Sequence, residues 1–416
     1  MLNLKYHTPE GVTDCLPDEY SIKHSTERKI EDTFFSYGYK GIQTPAFEYI
    51  NIYSDSTGDV SAQKLYKFFD PQGRTLALRG DITTSIARVM GTKYNPPLPA
   101  RLCYVADAFR YNGSASANSS EFTQAGIELI GDNSCEADAE AVIVTINALL
   151  NAGLDEFQID MGQVEFFKGL AEQIGLCGED YEKICTMIDF KDSFSIEQAV
   201  KKYSADEEIK KLLCRMPYLF GDADVIDEAF VPNLNNRSSK ALENLKEVYE
   251  IIQSCGYEKY VSIDLGMLQS IDYYTGVIFK GVTYDVGFSV CGGGRYDSLI
   301  GSFGKDMSAV GIAISVNRVL SALMRQNKIS DKNTTDAVIM MKPDYGNSFK
   351  AADILRKNKI KAENFYGSSL EKAFSYAAER GIKNVVEVCG DSIKIYKSEN
   401  EYREVKINEI GDGFSI

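Results

Sequence analysis

The sequence predicts an α+β protein: an antiparallel sheet core flanked by helices, interrupted by a helical insertion and followed by a small α/β domain. Three observations carry this reading. Residues 64–78 and 100–130 read as strand pairs returning through polar or Gly-containing loops. Residues 165–256 are mostly helical in pattern, with Lys and Glu frequent. After residue 335 strands and helices alternate, the rhythm of a largely parallel sheet. The expected domains are a core over 1–325, with the insertion at 165–256, and an α/β domain over 330–416.

Taken in order, residues 18–38 predict a helix, with Ile22, Ile30, Phe34 and Phe35 at helical spacing and Gly38 as its stop. Residues 39–47 contain Thr44-Pro45 and read as extended, because Pro cannot sit mid-helix. Lys64 to Phe69 alternates, Asp70-Pro71-Gln72-Gly73 turns, and Thr75 to Leu78 returns. A helix follows over 81–91, then a proline-rich loop at 95–99. Residues 100–110 and 121–130 predict two strands around a loop of small polar residues. A helix over 135–152 ends at Gly153, and a strand covers 156–161. After the insertion, strands are expected at 261–265, 273–279 and 284–290. Gly292-Gly293-Gly294 reads as a glycine-rich bend where backbone approaches a ligand or another strand. Residues 309–323 give a strand running into a helix, and 326–334 a polar linker.

The chain has 416 residues, 44% hydrophobic and 25% charged, ordinary for a globular protein. Its 25 Tyr and 21 Phe exclude disorder as the dominant state. A formal charge of −15 argues against broad non-specific nucleic-acid binding. Nine cysteines include no CxxC pair, and an odd number cannot all pair within one chain, so reduced thiols in a cytoplasmic protein are expected. The N-terminus has no apolar signal core, and no run is long enough to span a membrane. With only His7 and His24 present, a His-ligated metal centre or a Ser–His triad is not expected.

Four segments carry candidate chemistry. Gln124, Gly126 and Glu128 would share one strand face, with Gly126 leaving room for a small ligand. Gln and Glu there could accept from ammonium or imidazole N–H groups, and Arg110 on the partner strand could pair with a carboxylate. Tyr273 and Tyr274 could orient a polar ligand through a buried hydroxyl, although tyrosines on strands usually pack. Gly292 to Asp297 lacks the spacing of a phosphate loop. Arg318 opens a helix, where a cation opposes the macrodipole, which suits an anionic ligand or a surface carboxylate.

In this order the segments resemble the class II aminoacyl-tRNA synthetase core, specifically its histidyl branch. Thr8-Pro9-Glu10-Gly11 with Asp14 and Leu16-Pro17 resembles the N-terminal signature. Gly38-Tyr39 with Thr44-Pro45 and Glu48 resembles motif 1, which builds the dimer interface. Phe109-Arg110 to Glu128 resembles motif 2, and Gly311 to Arg318 motif 3. Ile271 to Tyr274 and Val290 to Asp297 resemble two histidyl-specific motifs. The match covers about residues 6–325, and the final domain resembles an anticodon-binding domain in its rhythm.

The resemblance implies that Asp81 and Thr83 hold an α-ammonium, with Asp81 in place of the usual Glu. It implies that Gln124 is a further ammonium or carboxylate ligand, and that Arg110 faces the carboxylate. Glu128 and Tyr274, the latter beside Tyr273, would read the imidazole nitrogens, and Tyr296 would close the ring pocket. The activation machinery, however, is depleted. The motif 2 loop, residues 111–120, contains no cation, and the histidyl motif opens with Gln269-Ser270 where the synthetases have Arg. Losing one preorganised donor typically costs about 10²–10³ in rate. Arg110 and Arg318 remain as a possible nucleotide or anion site.

A histidine pocket without activation groups resembles the regulatory-subunit family of short-form ATP phosphoribosyltransferase. That resemblance implies no catalytic residue, no cofactor and no metal. It implies a homodimer through the motif 1-like region, a short-form catalytic subunit as partner, histidine as ligand, and no nucleic acid or membrane. An active histidyl-tRNA synthetase, or a paralogue such as an amidating enzyme or a translation-linked sensor, are the alternatives.

Overall fold

Helix α1 (Pro17–Ser36) begins with Pro at its first position and Asp18 and Glu19 in its first turn, both suited to a helix N-terminus. The computed structural model describes residues 4–53, 62–111, 119–268, 273–284, 286–328, 335–411 and 414–416. The chain divides into two compact units, Met1–Ser330 and Asp331–Ile416.

In the first unit β1 (Lys40–Gly41) follows α1. Strands β2 (Phe47–Tyr49), β3 (Lys67–Phe69) and β4 (Thr75–Leu78) form a small sheet in the order β2-β4-β3. Helix α2 (Thr83–Thr92) leads to β5 (Ala100–Phe109) and β6 (Glu121–Ile130), an uninterrupted antiparallel ladder from Ala100↔Ile130 to Phe109↔Glu121. Helix α3 (Cys135–Ala152) is capped by the Ser134 side chain, which accepts from the Ala137 N–H, and ends at Gly153 in the left-handed region. After β7 (Phe157–Gln163) come α4 (Val164–Ile174), α5 (Gly178–Asp189), α6 (Ser193–Val200), α7 (Glu207–Arg215), the short β8 (Phe220–Gly221), α8 (Asp224–Ala229) and α9 (Asn236–Ser254). Then β9 (Val261–Asp264), β10 (Val277–Thr283), β11 (Cys291–Arg295), β12 (Ala309–Ser315) and α10 (Val316–Arg325) complete the unit.

Nine strands make one sheet in the order β1-β5-β6-β12-β11-β10-β7-β9-β8. It is antiparallel except for the β1/β5 and β7/β9 pairs. Side chains on β5 alternate between two cores, as a strand's period of two requires. Cys103 joins Ile30, Phe34 and the buried face of α3 on one side. Leu102 and Tyr104 join Ile82, Ile86, Met90, Tyr296 and Leu299 on the other. That second face carries the site described below.

The second unit alternates as expected through β13 (Ala337–Met340), α11 (Tyr345–Lys357), β14 (Ala362–Phe365), α12 (Leu370–Glu379) and β15 (Asn384–Cys389). Two further strands, β16 (Ser392–Ser398) and β17 (Glu401–Lys406), add antiparallel to β15, giving the order β14-β13-β15-β16-β17. The sheet is therefore mixed rather than largely parallel.

Two other expectations need correction. The glycine run is not a bend: Cys291–Arg295 is a central strand, paired to β10 and β12. The strand before it covers 277–283, and none of the described residues 286–290 is a strand. Glycine is required because a methyl group at Gly293 would overlap the Gly311 carbonyl, so the backbones could not approach. The second correction concerns Gly126. The space above it is filled by the Tyr104 ring, so this glycine makes room for core packing and not for a ligand.

Candidate functional site

The floor of the site follows from strand register. Glu128 on β6 is paired to Gly311 on β12, Gly311 to Gly294 on β11, and Gly294 to Ile278 on β10. Two residues along the same face lie Ala313 and Gly292. A stripe of Gly and Ala across two adjacent strands leaves a depression in the sheet. Over it lies a cavity of about 500 Å³.

Asp81, Thr83, Arg110, Gln124, Tyr273, Tyr274, Tyr296 and Arg318 all line this cavity. Glu128 does not. Its carboxylate is completely buried behind the wall, where a methyl group on Gly311 would collide with it. Thr83 Oγ1 donates to Glu128 Oε1 at 2.6 Å, and the Tyr296 hydroxyl donates to Oε2. Burial pushes the Glu128 pKa up to about 8, partly offset by these two hydroxyls, and the nearby Asp81 raises it further.

Each lining group is held by its element. Asp81 precedes α2 and its Oδ1 accepts from the Thr84 N–H at 2.7 Å, fixing the first turn of the helix. Tyr296 stacks on Tyr273 at 5.6 Å, and Tyr273 meets Tyr274 edge-on at 4.7 Å, so three tyrosines form one wall. The Tyr274 ring rests where any side chain on Gly294 would stand. Behind Tyr296, the Arg295 guanidinium pairs with Asp138 at 2.8 Å in the interior, anchoring β11 to α3. Burial raises Asp138 to about 6 despite that partner.

The other end of the cavity is cationic. Arg110, just beyond β5, donates from Nε to the Gly80 carbonyl at 2.7 Å and lies over Phe122. Arg318 donates to the Ser289 carbonyl at 2.8 Å and lies over the Phe288 ring at 4.8 Å. Burial first, and the Arg110 charge second, lower the Arg318 pKa. Among the described residues no carboxylate makes an ion pair with Arg318. Gln124 Oε1, between the two ends, is buried without a hydrogen-bond partner among the described residues.

Gln269, Ser270 and residues 112–118 of the motif 2-like loop lie outside the described residues. Sequence reasoning missed Phe288 and Lys280 in the cavity lining. Lys280 shares a face with Ile278 on β10 and could have been placed had the glycine run been read as its neighbouring strand. Phe288 lies in the segment expected as a strand over 284–290, of which the described residues 286–290 are irregular. Among the described residues there is no His/Cys/Asp/Glu cluster fit for a metal, and no helix long and apolar enough to cross a membrane.

The family model for histidyl-tRNA synthetase matches residues 11–319. An ATP phosphoribosyltransferase regulatory subunit of Acetivibrio thermocellus is 41% identical over 99% of each chain. That of Ruminiclostridium cellulolyticum is 39% identical over 97% of each. Among solved structures, an ATP phosphoribosyltransferase regulatory subunit/histidyl-tRNA synthetase from Bacillus halodurans superposes with TM-score 0.79 at 28% identity, covering 92% of this chain and 98% of that one. Histidyl-tRNA synthetase from Nostoc sp. PCC 7120, at 21% identity and TM-score 0.79 over 97% of this chain and 98% of that one, shares the fold.

Proposed function

The chain belongs to the ATP phosphoribosyltransferase regulatory subunits, a branch of the histidyl-tRNA synthetase family, and from that premise we propose that it binds histidine in the first unit's cavity and so controls a separate catalytic subunit. The observation that carries this reading is the gathering of Asp81, Thr83, Gln124 and three tyrosines around one cavity with a guanidinium at its edge. Asp81 and Gln124 supply acceptors for an α-ammonium, Arg110 a donor for a carboxylate, and the tyrosines a flat, polar-tipped wall for an imidazole. Glu128, held behind them, orients the Thr83 and Tyr296 hydroxyls, and in this reading it meets an imidazole nitrogen once the tyrosines shift.

In this reading the protein is not itself an enzyme. It activates the catalytic subunit, which performs the first step of histidine biosynthesis, and histidine inhibits the assembly. Histidine must then bind the inhibited assembly more tightly than the active one, because equal affinity would shift nothing. The chain forms a homodimer through the motif 1-like region, where Phe47 is more than half exposed. The second unit keeps the rhythm of an anticodon-binding domain without taking tRNA, and the protein works in the cytoplasm.

Histidine-dependent exchange between ATP and pyrophosphate tests the enzyme question directly. The expected result with the purified chain is no exchange. Adding a short-form catalytic subunit should give phosphoribosyl transfer that histidine suppresses. Robust exchange would instead establish an active histidyl-tRNA synthetase, the reading that Arg110 and Arg318 on the cavity wall keep open. A gel shift with histidine tRNA at physiological salt should show no specific complex, and a sub-micromolar shift would overturn that part.

A further inference from the structure

The segment bearing Tyr273 and Tyr274 lies between the sheet and the helical insertion, and it is fastened on both sides. On the sheet side the Thr275 N–H donates to the Arg295 carbonyl at 2.8 Å. On the insertion side two bonds come from α4. The Val164 N–H donates to the Gly276 carbonyl at 3.2 Å. One turn later the Lys168 ammonium donates to the Tyr274 carbonyl at 3.0 Å. Lys168 is itself held by Glu165 at 3.3 Å, and Glu165 is held by Arg237 of α9 at 2.7 Å. Arg237 also reaches Glu172 at 3.0 Å. The Lys168 side chain is only 19% exposed, so this bond is sheltered from water.

We infer that Lys168 is a positioning residue for ligand recognition: through the Tyr274 carbonyl it fixes the three-tyrosine wall of the cavity. The helical insertion thereby becomes a working part of the site. The bond is charge-assisted, since an ammonium donates to a neutral carbonyl. It acts on backbone, so it orients Tyr274 without occupying the tyrosine's own hydroxyl. Tyr274 leans on Tyr273, and Tyr273 stacks on Tyr296, so a displaced Tyr274 would disturb the whole wall. Lys168 is far from Tyr274 in sequence, and Tyr274 stands at the end of the cavity that would face a ligand's ring, so its effect is expected there.

The inference rests on histidine occupying this cavity, and the test separates the two claims. Binding to the full-length wild-type chain is measured by calorimetry with histidine and with β-(2-thienyl)alanine, which has a ring of similar shape but no ring N–H. Lys168→Met keeps the aliphatic stem and removes the donor. We expect histidine to bind about fivefold to tenfold more weakly, with the thienyl analogue little changed, so discrimination falls by the same factor. Lys168→Arg, which can still donate to the carbonyl, should restore discrimination to within roughly twofold. Glu165→Gln, which releases Lys168 without deleting it, should give a smaller loss in the same direction, and it serves as the reading if Lys168→Met melts well below the wild type. Unchanged histidine affinity in Lys168→Met, or equal weakening of both ligands, overturns the inference and leaves the histidine pocket standing. Absence of histidine binding to the wild-type chain overturns the pocket, and this inference with it.

Discussion

The two ends of the cavity are built on opposite principles. At one end neutral hydroxyls close on the buried Glu128 carboxyl: Thr83 and Tyr296 both donate to it, with Asp81 nearby. At the other end two guanidinium groups come close enough that the charge of one depresses the pKa of the other. Their bonds to the Gly80 and Ser289 carbonyls and their places over aromatic rings fix their positions. Under the proposed function the first end selects a ligand by shape and hydrogen-bond pattern, and the second attracts negative charge. Recognition of an amino acid needs the first end, and turnover of a nucleotide would need the second.

Removing the carboxylate should break the selective end most severely. Above pH 8, where the carboxyl is ionised, Glu128→Ala is expected to weaken histidine binding by about 1.5–3 kcal/mol, typical of a hydrogen bond to a charged group, plus any loss from the two stranded hydroxyls. Calorimetry with the folded variant checks this, and an unchanged affinity would remove Glu128 from the site.

The same group sets a pH dependence. Its native pKa, about 8, lies above the ordinary value of 4.5. Between those two values the unfolded chain has released this proton while the native chain still holds it. More protons are bound in the native state, so this group's contribution to stability falls as pH rises from about 4.5 and levels off above about 8, at up to about 1.4 kcal/mol per unit. Glu128→Gln, which cannot ionise, should flatten the fall of the thermal midpoint between pH 5 and 8. Two parallel curves for variant and wild type would show that the carboxyl ionises normally in the folded protein.

Why some of this was legible and some was not comes down to side chains. The β5 and β6 ladder was readable because ten alternating residues on each side of a polar loop leave little else to fold into. The cavity lining was readable because Asp81, Gln124, Tyr274 and Arg318 stand in ordered segments that resemble a known core. The β11 strand was not, because three glycines carry no pattern of alternation, and what demands Gly293 and Gly294 is the Gly311 and Val277 carbonyls and the Tyr274 ring, on other segments of the chain. Gly126 misled for the same reason: the space beside a glycine is visible from sequence, but its occupant, Tyr104, is not. Lys168 was invisible because its acceptor is a backbone carbonyl more than a hundred residues away.

The smallest expected effect is the sharpest test of whether the two ends act separately. Arg318→Met removes one charge, keeps length to cover Phe288, and leaves the tyrosine wall untouched. Pyrophosphate is a suitable probe because it is compact and bears several charges. Its affinity should fall about tenfold, as expected when one charge-assisted contact of two is lost in a partly desolvated site. Relieving the repulsion on Arg110 works against that loss, so the fall should be smaller than for Arg110→Met, which also frees the Gly80 carbonyl beside Asp81. Histidine affinity should stay within about twofold, since Arg318 is held by Ser289 and Phe288, away from the tyrosines, and its charge is screened across the cavity. A matching loss of histidine affinity would mean the two ends form one electrostatic unit, and the division drawn between selecting and attracting would have to be abandoned.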